Sequence, residues 1–369
     1  MRALGIILAG GNNEKLGELT KKRAVSALPV GSCYRAIDFT LSNMTSSGIG
    51  KVAVITQYNS RSLHDHLSSP TWWNFGRKQG GLFIFTPYLS IDNSLWFKGT
   101  ADSMYKNLIY LKRSNEPYVI ITSGNAVYKM DFGKLLNNHI KAESDITIVY
   151  KDIVDEDFRD YGAITFDEEG RMTDLEEKPI EKFSDQISLG IYVMRRTLLI
   201  KILEDIIPEE RYDFVKDVLI RYRKRLKIMG CKFDGYWRAI NTVDSYYKLN
   251  MEFLQKDVRN QFIKDPPYIG TKPKDEPPVK YNYAASVKNC LVGSGSILNG
   301  VVQNSVLFRK VYTGENSMIK NSVVMEGCYI GNNCVIENAI LDKEVALSDG
   351  KSIIGTPEEP VIIAKGSVI

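Results

Sequence analysis

A four-residue pattern recurs four times toward the end of the chain. It reads "NCLV" at 289–292, "NSVL" at 304–307, "NSVV" at 321–324 and "NAIL" at 338–341, with offsets of 15, 17 and 17. Units this short cannot bury an apolar face alone, so neighbours must stack. Between them lie "VGSGSI", "YTGENSMI", "YIGNNCVI" and "LSDGKSII". Glycine and asparagine suit the positive φ of tight corners, and single aliphatics point inward. The period approaches three hexapeptides per coil and predicts a parallel β-helix. A β-sandwich is the alternative, and it would show stricter alternation along its strands. Stacked coils leave flat surfaces that commonly serve assembly.

The first 255 residues or so follow another grammar. "ALGIILA" (3–9), "KVAVITQ" (51–57), "YVIITSG" (118–124) and "DITIVYK" (145–151) are rich in Val and Ile without strict alternation. Strands buried on both faces of a parallel sheet look like this. Helical patterns lie between them, such as "DFTLSNMTSSG" (38–48) and "ADSMYKNLIYLKRS" (101–114). That order predicts an open α/β sheet that binds ligands at the C-terminal ends of its strands. Residues 259–285 hold five prolines in "DPPYIGTKPKDEPPVKY" and read as an extended connector. The predicted division is 1–258, an α/β domain; 259–285, the connector; and 286–369, the β-helix.

Charge and composition exclude several classes. Lys and Arg number 48 against 44 Asp and Glu, a formal charge of +4, which gives no argument for nucleic acid. The basic cluster "RYRKRLK" (221–227) reads as the solvated face of a helix. The five cysteines form no CxxC pair, and His64, His66 and His139 are too scattered for a zinc site. No apolar run reaches the roughly 18 residues of a membrane span. "ALGIILAGG" reads as a strand and not as a signal peptide, so a reduced, cytoplasmic protein is expected.

Two stretches bear on chemistry. Strand "ALGIILA" runs into Gly10-Gly11, a turn that can cradle phosphates on backbone N–H groups. In "VIITSGNAVYKMDF" (119–132), the apolar run ends in Ser123-Gly124 and then Asn125. At such a strand end, α/β enzymes often place an acid to hold a metal. Here the neutral amide stands instead.

Longer motifs make a specific match. The pattern "AGG…KL..LT..RA…LPVG..YR.IDF.LSN…SGI" (9–49) resembles the bacterial glucose-1-phosphate adenylyltransferase family. "QYNSRSLHDHL" (57–67), "KGTADSMYKN" (98–107), "SGNAVYKMDF" (123–132), "EEKP" (176–179), "SLGIYVM" (188–194) and "GYWRAINTVDSYYKLNMEFL" (235–254) match in order, as do the repeats. The resemblance spans essentially the whole chain. It implies a Rossmann-like nucleotidyltransferase domain with a mostly parallel sheet, followed by a left-handed parallel β-helix. It implies a reaction of ATP with glucose 1-phosphate to give ADP-glucose and pyrophosphate, with Mg²⁺ shielding the charge. Positioning and electrostatics dominate such chemistry.

The resemblance also implies site residues. On the nucleotide side these are Gly10, Gly11, Lys15, Gln57, Gly99, Thr100 and Asp102. On the sugar-phosphate side they are Tyr161, Gly162, Glu177, Lys178, Ser188 and Gly190, with Lys178 meeting the phosphate and Glu177 a sugar hydroxyl. The family's two metal-binding acids, in motifs like "GDHIYKMDY" and "YWxDVGT", align with Asn125 and Ala239. Mg²⁺ prefers anionic oxygens, and neither residue supplies one. The family's third glycine is Asn13 here, its arginine is Lys15, and the lysine of "RAKPAVP" is Val25. Cys33 replaces a basic residue linked to activator binding.

A regulatory, catalytically deficient subunit is therefore expected. It would assemble with a catalytic homologue, as a hetero-tetramer by resemblance. No metal or cofactor is expected in this chain, with Mg²⁺ in the catalytic partner. A sugar-phosphate or nucleotide ligand is expected, but no nucleic acid or membrane. Two alternatives stand: a slow nucleotidyltransferase using other acids, with Asp131 and Asp244 nearby, and a stand-alone sugar-phosphate sensor.

Overall fold

A computed structural model describes residues 2–76, 80–88, 96–153 and 158–369. The elements of the first domain are strands β1 (Ala3–Ala9), β2 (Pro29–Val30), β3 (Tyr34–Arg35), β4 (Lys51–Thr56), β5 (Gly81–Phe85), β6 (Tyr118–Ser123) and β7 (Ala126–Tyr128). They continue as β8 (Ile146–Asp152), β9 (Gly162–Phe166), β10 (Met172–Glu177), β11 (Gln186–Arg195), β12 (Ile228–Lys232) and β13 (Trp237–Ala239). Its helices are α1 (Ala36–Ser46), α2 (Arg61–Leu67), α3 (Thr100–Lys106), α4 (Leu108–Lys112), α5 (Phe132–Lys141), α6 (Arg196–Ile206), α7 (Val243–Glu252) and α8 (Lys256–Ile263).

All four strands predicted from apolar runs lie in one sheet. Its parallel centre is β5-β4-β1-β6, where β1 pairs with both β4 and β6. The flank is mixed. Strand β11 runs antiparallel to β6, β8 and β9, and β9–β10 is an antiparallel pair. The register of β11 shifts between Ser188 and Tyr192. Gly190 sits there at φ +67, a conformation open to glycine and costly for other residues. This bulge turns Ser188 and Gly190 toward the cleft at the ends of the central strands.

The helical run over 101–114 divides in two at Asn107. The Asn107 amide donates to the Ser103 carbonyl, and such local bonds compete with a continuing helix. The basic run 221–227 begins in the last helical residues and then forms the turn into β12. Arg221 pairs with Glu209 at 2.6 Å on that surface.

Residues 280–363 form fifteen short strands, from β14 (Lys280–Tyr281) to β28 (Val361–Ile363), arranged as three five-stranded parallel sheets. This is a hexapeptide β-helix, consistent with a left-handed one. The repeat residues Asn289, Asn304, Asn321 and Asn338 occupy its corners at φ 52, 44, 46 and 49. Asparagine tolerates this left-handed region better than any other residue with a full side chain. Leu298, Val302, Leu307, Ile319, Val324, Ile330, Ile336 and Leu341 fill the interior and are fully buried.

The connector is shorter than the predicted 259–285, since 259–263 complete α8 and β14 at 280–281 already pairs with β17 (Ile297–Leu298); the stretch between them is extended but not free. The Gly270 N–H donates to the Ser42 hydroxyl of α1, and the Trp73 indole donates to the Gly270 carbonyl. Thr271 donates to the buried Asp38 carboxylate, which also contacts His66. One face of the β-helix, carrying Val306, Val323 and Ile340, packs with Leu16, Phe39, Tyr246 and Phe253 in a single apolar cluster. Arg23 reaches across this junction to Asp342 at 2.7 Å, both nearly fully buried. No helix of the described residues is long and apolar enough to cross a membrane.

Candidate functional site

The C-terminal ends of β1 and β6 open into one cleft with three lobes. The first lobe, about 590 Å³, is lined by Gly11, Asn13, Lys15, Val25, Ser123, Asn125, Asp160, Lys178 and Asn241. Its floor is the turn after β1. The second, about 270 Å³, contains Gly10, Gln57, Gly99 and Thr100. The Gln57 side chain accepts from Phe97 N at 2.7 Å and so holds the two loops of this lobe together. Gly99 admits no side chain, since a Cβ would meet the Tyr212 carbonyl oxygen at 2.4 Å. Asp102 does not line this lobe. It is buried and accepts from Lys98 N at 2.8 Å, which fixes the loop before α3.

The third lobe, about 220 Å³, collects Tyr161, Gly162, Glu177, Ser188, Gly190, Tyr192, Trp237 and Ala239. All the sugar-phosphate candidates except Lys178 are here. Lys178 lies across the junction in the first lobe, at φ +51 immediately before Pro179. That conformation is strained for a residue with a side chain, and such strain clusters at ligand sites. The Trp237 indole N–H is buried with no hydrogen-bond partner among the described residues, a donor left over at the lobe's wall.

Asn125 and Ala239 are brought together. Strand β13 pairs with β7 so that Ala239 faces Ala126, and Ile240 N donates to the Asn125 carbonyl at 2.9 Å. Both line the third lobe, where it meets the first.

A nucleotidyl transferase family model matches residues 4–256, and a GlmU-like C-terminal hexapeptide model matches 278–360. The glucose-1-phosphate adenylyltransferase of Bacillus cereus is 37% identical over 372 residues, 99% of this chain and 98% of its own. Those of Halalkalibacterium halodurans and Bacillus subtilis (strain 168) are 36% identical, over 85% and 86% of this chain and 83% and 84% of theirs. The chain belongs to the glucose-1-phosphate adenylyltransferase family.

The resemblance implies a divalent ion between positions 125 and 239, and the donors present do not fit one. Ala239 offers a methyl group. The Asn125 side-chain oxygen already accepts from the Ser123 hydroxyl, and its amide donates to Asn241 Oδ1 at 3.3 Å. Among the described residues, no group of three or more His, Cys, Asp or Glu side chains could hold a metal. Asp131 caps α5, accepting from Gly133 N at 2.8 Å, and Asp244 pairs with Lys248 at 2.9 Å in α7. Neither lines the cleft.

Two residues at this cleft escaped the sequence reading. Asn241 stands at the glycine of the "YWxDVGT"-like motif, a difference visible in "YWRAINT". Its carbonyl accepts from Asn13 Nδ2 at 2.7 Å. Asp160 has no motif of its own, and it contacts the Lys15 ammonium. No local pattern marks that pairing.

Cys33 lies elsewhere, in a cavity of about 210 Å³ between the two domains. Arg35, Lys272, Lys274, Arg309 and Lys343 share its walls with Asp65 and Glu326. Burial pushes the Cys33 thiol up to about 11, so it is neutral near pH 7. Burial also acts to raise the Glu326 carboxyl, but the Lys343 and Lys274 ammonium groups prevail and hold it down at about 2.

Proposed function

We propose that this chain is a regulatory, catalytically deficient subunit of glucose-1-phosphate adenylyltransferase. It would bind a catalytic homologue and modulate ADP-glucose formation for glycogen synthesis. The observation that carries this reading is the pair at positions 125 and 239. They lie together at the cleft, and they present an amide and a methyl group where the resemblance implies two metal-binding acids. Metal stabilisation of developing charge is worth several kcal/mol. Losing ~4 kcal/mol slows a reaction roughly a thousandfold.

Other features agree with a binding role. The third lobe keeps Glu177, Ser188 and Gly190 around an indole donor that has no partner among the described residues. The interdomain cavity gathers five basic side chains, a suitable place for an anionic effector. On the β-helix, Ile297 and Tyr329 are exposed on one sheet, and Tyr312 stacks on Tyr329 at 4.9 Å. Exposed aromatics of this kind suit a subunit contact.

The deciding experiment assays the purified chain alone and then mixed with a catalytic homologue. Alone, with ATP, glucose 1-phosphate and Mg²⁺, it should form little or no ADP-glucose. In the mixture, the homologue's turnover or effector response should change and the two should co-elute. Turnover alone of about 1 to 1,000 per second would sink the proposal in favour of an active enzyme. Separate elution with unaltered partner kinetics would leave a sugar-phosphate sensor.

A further inference from the structure

The ammonium group of the glycine turn is already paired within the cleft. Lys15, on the turn after β1, has a largely exposed ammonium group that meets the Asp160 carboxylate. Two residues earlier, Asn13 Nδ2 donates to the Asn241 carbonyl at 2.7 Å, and its Oδ1 accepts from Lys15 N at 3.1 Å. Asn241 in turn donates to the Asp160 carbonyl at 3.3 Å and accepts from Asn125 at 3.3 Å. Four chain segments thus meet across the mouth of the first lobe. The glycine turn is fastened to both the β13–α7 corner and the turn before β9.

We propose that these contacts form an autoinhibitory latch, in which Asp160 occupies Lys15 in place of a phosphate group and the Asn13 side chain, held on the Asn241 backbone carbonyl, tethers the glycine turn. The incoming ligand class is a di- or triphosphate, and it binds by displacing the carboxylate from Lys15. The inference concerns the isolated chain and holds whether or not the regulatory reading does. An exposed ion pair is worth little, so the latch is readily opened. The hydrogen bonds donated by the Asn13 and Asn241 side-chain amides supply the geometry.

The test uses the full chain, metal-free in EDTA, with inorganic pyrophosphate as the calorimetric probe. Asp160→Asn frees Lys15 and should tighten binding roughly two- to five-fold. That gain should fall by at least half when Lys15→Ala is also present, because the carboxylate then has nothing to occupy. Asn13→Ala alters no charge and removes the side chain that holds the Asn241 carbonyl and the Lys15 N–H, so it should speed amide hydrogen exchange in residues 12–16 by a comparable factor. No gain from Asp160→Asn overturns the latch, as does an equal gain with and without Lys15. So does exchange unchanged in both Asp160→Asn and Asn13→Ala, a reading that stands even if one variant is poorly folded.

Discussion

At the scale of single residues, Asn125 and Ala239 make a reversible claim. Asn125→Asp with Ala239→Asp should restore Mg²⁺ binding, measurable by titration, with only modest ADP-glucose formation. Asn13 and Asn241 would still tie the glycine turn across the cleft, and Val25 would still present an apolar side chain to it. Adding Asn13→Gly, Lys15→Arg and Val25→Lys should raise activity further. Full activity from the two acids alone would contradict this account of the turn. Positions 125 and 239 were legible in the sequence because each sits inside a motif whose other letters survive. Asp160 was not, since it is 145 residues from Lys15 and nothing local records their contact. Asp102 shows the reverse case. Its motif is intact, but its carboxylate serves the backbone of its own loop.

At the scale of elements, the β-helix corners carry a distinct energy. Asn304 sits at φ +44, and a β-branched residue there pays the left-handed penalty of roughly 1–2 kcal/mol. Asn304→Val should lower the unfolding free energy by about that amount in urea titrations. Asn304→Gly should change it by a few tenths, since glycine adopts that φ freely. Inside a coil, Ile336→Ala should cost about 2–5 kcal/mol because the stacked turns cannot collapse onto the vacancy. The coils were legible because period and corner chemistry coincide in one short pattern. Strand β11 was not readable in the same way. "QISLGIYVMR" marks a buried strand, but hydropathy carries no direction, so its antiparallel entry and bulge emerge only from the sheet.

At the scale of the whole molecule, the two domains meet through a buried charge pair and a basic cavity. Asp342→Ala should cost about 3–5 kcal/mol, because Arg23 is left charged and unpaired inside the junction. The double replacement Arg23→Met with Asp342→Leu should recover most of that loss, as read by the midpoint of thermal unfolding. Glu326 predicts the acid limit. Its folded pKa of about 2 lies below its ordinary 4.5, so its contribution is complete above about 4.5 and vanishes as pH falls toward 2. Thermal scans over that range should show Glu326→Gln losing less stability on acidification than the parent chain. For assembly, Ile297→Asp with Tyr329→Asp should abolish co-elution with a catalytic homologue while leaving the fold intact, since both side chains are exposed. The Arg23–Asp342 pair also constrains descent. A β-helix transplanted from a relative without an acid at position 342 would strand the arginine of its new host. Recombination between the two halves is therefore penalised, and they are expected to travel through lineages as one heritable unit.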